Sequence, residues 1–204
     1  MIDFRKNKFK DIKKKEDGVA FVEFALIAPV LFSLLLGCID LTMFIIAHQR
    51  MSRASYTMSN LITQMDSGLT ESQVNDMMLA LNQVSRPYDI EQDGIATMTA
   101  VIGVGEDGSA PDSYRVAWQR CYGNNSSSSD FGVQGSNVAA ADIPDNTITT
   151  TGQILVVTEL EYTYEPILGF LDLDTNIEYT SFFRPRRGTI EQIVADGATA
   201  KVCP

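Results

Sequence analysis

The side chain in the most unusual chemical setting is Glu23. It stands five residues after a glycine in Gly18-Val19-Ala20-Phe21-Val22-Glu23-Phe24, with apolar neighbours on both sides. A carboxyl group inside a membrane-type segment is costly, and it marks function unless it reaches water at the interface. Other candidates for chemistry are sparse. The one histidine, His48, cannot build a His-based metal site or triad alone. Asp172-Leu173-Asp174-Thr175-Asn176 imitates the start of a calcium loop. However, Ile177 stands where the turn glycine belongs and Phe183 where the bidentate glutamate belongs. A surface turn is the better account. No glycine-rich phosphate loop occurs either. The residues therefore describe a chain that is not an enzyme, with no cofactor and no metal.

The elements that must position Glu23 follow from charge and hydropathy. Residues 1–18 carry seven basic against four acidic side chains, a net +3, which leaves −13 on the rest of a chain whose total is −10. So acidic a body argues against a nucleic-acid partner. The basic head keeps the N-terminus cytoplasmic by the positive-inside rule. From Phe24 to Ile39 run sixteen residues without a charge, slightly short of the ~20 that cross a bilayer. Completing the span takes in Glu23 at one end or Asp40 at the other, and Asp40 is expected at the far interface within reach of water. Pro29 removes one backbone donor and predicts a kink. A rival signal is Leu35-Leu36-Gly37-Cys38, which resembles a bacterial lipobox with Cys38 as the lipidated residue. The apolar run 19–37 is longer than the usual h-region, and the helical pattern continues past Cys38.

Beyond Asp40 the apolar residues narrow to a stripe. Ala47, Met51, Ala54, Met58, Leu61 and Met65 alternate spacings of four and three, which is one face of a helix. One continuous helix over 19–66 would be ~70 Å long, with a protein surface needed to cover its second half. Thr70-Glu71-Ser72-Gln73 reads as a capping box that opens a second helix through about Val84, its apolar side formed by Met77, Met78, Leu81 and Val84. Arg86-Pro87 ends it. Strands are expected at 95–104, 114–121, 154–164 and 177–183, with Tyr114, Val116 and Trp118 on one face. Residues 123–152 are poor in large apolar groups and include a serine run, so a mobile loop is expected there. A short helix is expected at 189–195. Cys121 and Cys203 would both lie outside the cytoplasm, where disulfides persist, and their pairing would tie the C-terminus to a strand. The alternative is two unrelated thiols.

These features carry a resemblance. Glycine, four apolar residues and Glu-Phe form the pattern of a type IV prepilin cleavage site in its tight-adherence (Tad) form. That leader, the long helix, and the terminal Tyr162-Thr163-Tyr164-Glu165-Pro166, Gly169-Phe170 and Thr180-Ser181-Phe182-Phe183-Arg184-Pro185-Arg186 are together similar to the TadE/TadG-like minor pilins (pseudopilins). TadE-like or TadF-like is the closer match, because TadG-like members carry an added domain. The resemblance covers both ends of the chain and hardly touches residues 70–150.

The resemblance implies an α+β fold: a long N-terminal transmembrane helix running into a pilin-like head with a small antiparallel sheet. It implies a cleaved cytoplasmic leader at 1–18, a transmembrane and assembly helix at 19–66, and a periplasmic head at 67–204. Gly18 and Val19 would flank the cut made by a prepilin peptidase. The new amine of Val19, on the same or a neighbouring subunit, would neutralise Glu23, with Phe24 completing the motif. Other Tad pilins, the inner-membrane assembly platform and membrane lipid would be the partners, in pilus assembly, surface adhesion and biofilm formation. The place would be the bacterial inner membrane, single-pass, with or without incorporation into the extracellular pilus. The Arg184-Pro185-Arg186-Arg187 cluster is either a partner contact or a solvated strand end. A signal-anchored or lipidated periplasmic binding module is the alternative of a different class.

Overall fold

A computed structural model of the chain describes residues 16–123 and 128–203. Most of the expected leader (1–15) and part of the expected loop (124–127) lie outside the described residues. The chain forms two compact units, one of residues 16–43 with Pro166–Asp172, the other of Phe44–Glu165 with Leu173 onward. Helix α1 (Glu16–Gln64) contributes to both.

In the first unit α1 is helical through Pro29. It is the one helix among the described residues long and apolar enough to cross a membrane. Its side chains lie open rather than packed: Phe21 is 78% exposed and Leu26 73%. Hydrophobic surface of that extent implies a partner outside the chain, lipid or protein.

In the second unit a five-stranded antiparallel sheet has the order β3-β2-β1-β4-β5. The strands are β1 (Gly94–Val104), β2 (Ser113–Gly123), β3 (Asn137–Val138), β4 (Ile154–Tyr164) and β5 (Thr175–Phe183). One face is covered by the later turns of α1, by α2 (Glu71–Ser85) and by the short α3 (Ile90–Asp93). Ala47, Met51, Ala54 and Met58 are buried there, as the stripe predicts, but the next core position is Ile62 rather than Leu61. The capping box of α2 is present, with the Thr70 hydroxyl accepting from the Gln73 amide and the Gln73 side chain accepting from the Thr70 amide.

The opposite face has its own core of Val101, Val116, Leu155 and Val157. Phe131, Val138, Ile143 and Ile148 cover it, and all four come from the segment expected to be a loop. That segment contains β3 and a 3-10 turn at Ala140–Asp142. Its apolar residues follow no period, so the sequence hid their burial.

Strand β2 departs from the expected alternation. Ala100 pairs with Trp118 and Val101 with Val116, so Ala117 has no partner of its own. This is a β-bulge. It turns Trp118 into the helix-covered core and leaves Val116 and Tyr114 with the other. At the end of β2, Gly123 has φ 108°, and a Cβ there would lie 2.3 Å from the Gly94 carbonyl oxygen. Only glycine fits.

Candidate functional site: helix start, buried acid and C-terminal clasp

At the start of α1 the helix presents Gly18, Val19, Glu23 and Phe24 on its surface. Val19 is 56% and Phe24 63% exposed, and Glu23 is exposed. Glu23 has no hydrogen-bond or ion-pair partner among the described residues. Nothing packs against Gly18: a Cβ there would meet no atom within 4 Å, and its φ is not in the left-handed region. Glycine inside a helix costs roughly 0.5–1 kcal/mol relative to alanine, and this fold makes no demand for it.

Asp40 behaves differently from expectation. It is fully buried rather than water-facing. Its carboxyl oxygens accept from the amides of Leu168 at 3.3 Å, Phe170 at 2.9 Å and Leu171 at 3.2 Å. The apolar loop Pro166–Asp172 thus wraps over the carboxyl group, turning at Gly169 with φ 62°. No local sequence signal announces this, because acid and amides are about 130 residues apart.

Farther along α1, Ser55 and Ser59 meet Thr158 and Ser181 in a buried hydroxyl cluster. Ser55 reaches Ser181 Oγ at 2.9 Å, Ser59 reaches Thr158 Oγ1 at 2.8 Å, and Ser59 and Ser181 are 2.6 Å apart. Small hydroxyl side chains let the helix approach the sheet closely while satisfying one another.

The C-terminal segment forms a clasp over α2 and β2. Cys121 is disulfide-bonded to Cys203, with Cα atoms 5.0 Å apart. The Cys121 amide donates to the Lys201 carbonyl at 2.9 Å, and the Lys201 ammonium stands 4.3 Å from the Tyr122 ring centroid. Trp118 Nε1 donates to the Ile190 carbonyl at 2.8 Å. The expected helix at 189–195 does not form. Val194 instead bridges Thr70, donating to the Leu69 carbonyl at 2.8 Å and accepting from the Glu71 amide at 3.2 Å. Those tertiary bonds use the groups a helix would have consumed.

Beside the clasp Arg120 and Glu71 form a buried ion pair, with Arg120 Nε 3.0 Å from Glu71 Oε2. Asp196 accepts from the Ser72 hydroxyl and the Ala198 amide, and these bonds, the hydroxyl first, hold its carboxyl down at about 2. Burial, then its hydrogen bond to Glu91, pushes the Tyr122 phenol up to about 12.

His48 is taken up by Tyr179, 3.1 Å from its hydroxyl, and by the Phe44 ring. Among the described residues no group of His, Cys, Asp and Glu is placed to hold a metal ion. A polar cleft beside β4 and β5 includes Glu159, Glu161 and Glu178. Glu159 is raised by burial, against the lowering effect of bonds from Ser129 and the Asp130 amide. Arg184, Arg186 and Arg187 are exposed; Arg184 bonds Gln153, and the Arg186 amide closes the end of α1 on the Thr63 carbonyl.

These features define a class of protein: a membrane-capable helix whose later turns are built into an antiparallel α+β unit. A family model described as TadE-like protein matches residues 18–57. This stretch of the chain is similar to the TadE-like proteins. No curated protein and no solved structure matches the chain.

Proposed function

We propose that the protein is a minor pilin or pseudopilin of a Tad (type IVb) pilus, a structural subunit rather than an enzyme. A prepilin peptidase removes residues 1–18, α1 anchors the subunit in the inner membrane with its N-terminus cytoplasmic, and the sheet unit projects into the periplasm. The observation that carries this is the conjunction at the helix start: the TadE-like match opens at residue 18, on a glycine the fold does not need. Five residues on stands Glu23, exposed and unpaired among the described residues. Cleavage after Gly18 supplies the missing cation, the amine of Val19, and a neighbouring subunit's apolar helix supplies the cover. A buried carboxylate is tolerable only when so paired. Through assembly with other Tad pilins and the inner-membrane platform, the subunit serves adhesion and biofilm formation.

The deciding measurement is the mature N-terminus by mass spectrometry, on protein from a host with its peptidase intact. Val19 as first residue is expected. A chain beginning at lipidated Cys38, or retaining residues 1–18, would replace this function with that of a membrane-tethered binding module.

A further inference from the structure

If the hydrocarbon begins near Phe24, Asp40 lies about 24 Å along α1 at 1.5 Å per residue, within the ~30 Å of a bilayer's apolar layer. A bare carboxyl group there would be prohibitive. Asp40 is not bare: it is fully buried beneath the Pro166–Asp172 loop, accepting from three of its amides. The same bonds serve the loop, because irregular backbone at membrane depth must have its amides satisfied by protein.

The loop's outward surface is apolar. Ile167 is 75% exposed, Leu168 47% and Phe170 48%. No charge occurs between Pro166 and Leu171, while Glu165 and Asp172 flank the stretch. At Gly37 the absent side chain leaves Phe170 and Leu171 about 3.9 Å from where a Cβ would stand.

We propose that this loop is a second membrane contact, in which Ile167, Leu168 and Phe170 enter the boundary between headgroups and acyl chains beside the outer end of the span. Asp40 is its positioning residue. The occupant of the exposed surface is lipid, because that surface is continuous with the lipid-facing side of α1 and belongs to the same compact unit. The proposal depends on α1 crossing the membrane.

The test uses the full chain, Cys38→Ala, in vesicles of phosphatidylethanolamine and phosphatidylglycerol, with single nitroxide labels. Ile167→Cys carries the probe; Leu34→Cys on the helix and Val133→Cys on the sheet unit are references. Collision with lipid-soluble oxygen is compared with collision with a water-soluble nickel chelate. Ile167 is expected to show an oxygen-to-nickel ratio several-fold above Val133, close to Leu34. A ratio like that of Val133, with Leu34 still lipid-like, overturns the loop contact alone. A water-like Leu34 overturns the membrane span itself and the loop contact with it. Broadening at Ile167 that grows with the protein-to-lipid ratio means a second copy covers the loop, which also overturns lipid as occupant. Asp40→Asn, which offers fewer acceptors, is expected to raise the mobility of the Ile167 label and leave Leu34 unchanged; unchanged mobility removes Asp40 from the role.

Discussion

The roles proposed for Gly18 and Glu23 are separable by mutation. Gly18→Val puts a branched side chain at the proposed cut where space is open, so folding should be unaffected while residues 1–18 are retained, as the mass of the N-terminal peptide will show. Glu23→Ala should be cleaved normally yet fail to enter pili, scored by shed-pilus immunoblot; normal piliation in that variant removes the charge-pairing mechanism. Two further carboxyl groups act on stability with opposite signs. Asp196 is held below its ordinary value of 3.8, at about 2. Its contribution is therefore present above about pH 4 and fades as pH falls toward 2. Glu159 is raised above its ordinary 4.5 by burial, so its charged form is disfavoured in the fold and it weakens stability as pH rises through the folded value. Urea titrations at pH 4 and pH 7 should show Glu159→Gln gaining on the natural protein at the higher pH.

The elements differ in how far sequence revealed them, and the difference is one of range. Helix α2 was legible because its capping box is written in four consecutive residues. Thr70→Ala should cost about 1 kcal/mol, measurable as a lower urea midpoint. Strand β4 matched its expected bounds because a branched apolar run, Ile154–Val157, passes into a clear alternation from Thr158 to Tyr164. The bulge at Ala117 was not legible, since it exists only against the register of β1. Nor was the burial of Phe131 and Ile148, whose partners come from other strands. The C-terminal segment misled for the same reason: Ile190 and Ile193 have helical spacing, but Leu69, Glu71 and Trp118 claim the backbone between and beside them. Arg120→Met should test the ion pair below the clasp. Leaving Glu71 buried without its cation is expected to cost about 3–5 kcal/mol.

At the scale of the molecule, the candidate site was half visible. The sequence exposed Gly18, Val19, Glu23 and Phe24 as a local motif. It placed Asp40 near a membrane boundary but gave no hint of the loop that encloses it. The disulfide expected between Cys121 and Cys203 is present, 82 residues apart. In the chain-entropy model a loop of that size stabilises by roughly 4–5 kcal/mol. Cys203→Ser should therefore lower the melting temperature and speed amide exchange at 190–203.

The same covalent ring has a mechanical meaning. When the chain is pulled between its two ends, load entering the sheet at Cys121 can leave directly at Cys203. The chain between those cysteines, including β3, β4, β5 and the loop over Asp40, is then shielded from the pull. Unfolding by force would lengthen the oxidised protein less than the reduced one, by about 82 residues or on the order of 280 Å. The bond makes the stretch from Cys121 to Cys203 nearly inextensible, while the segment between α1 and Cys121 remains free to yield.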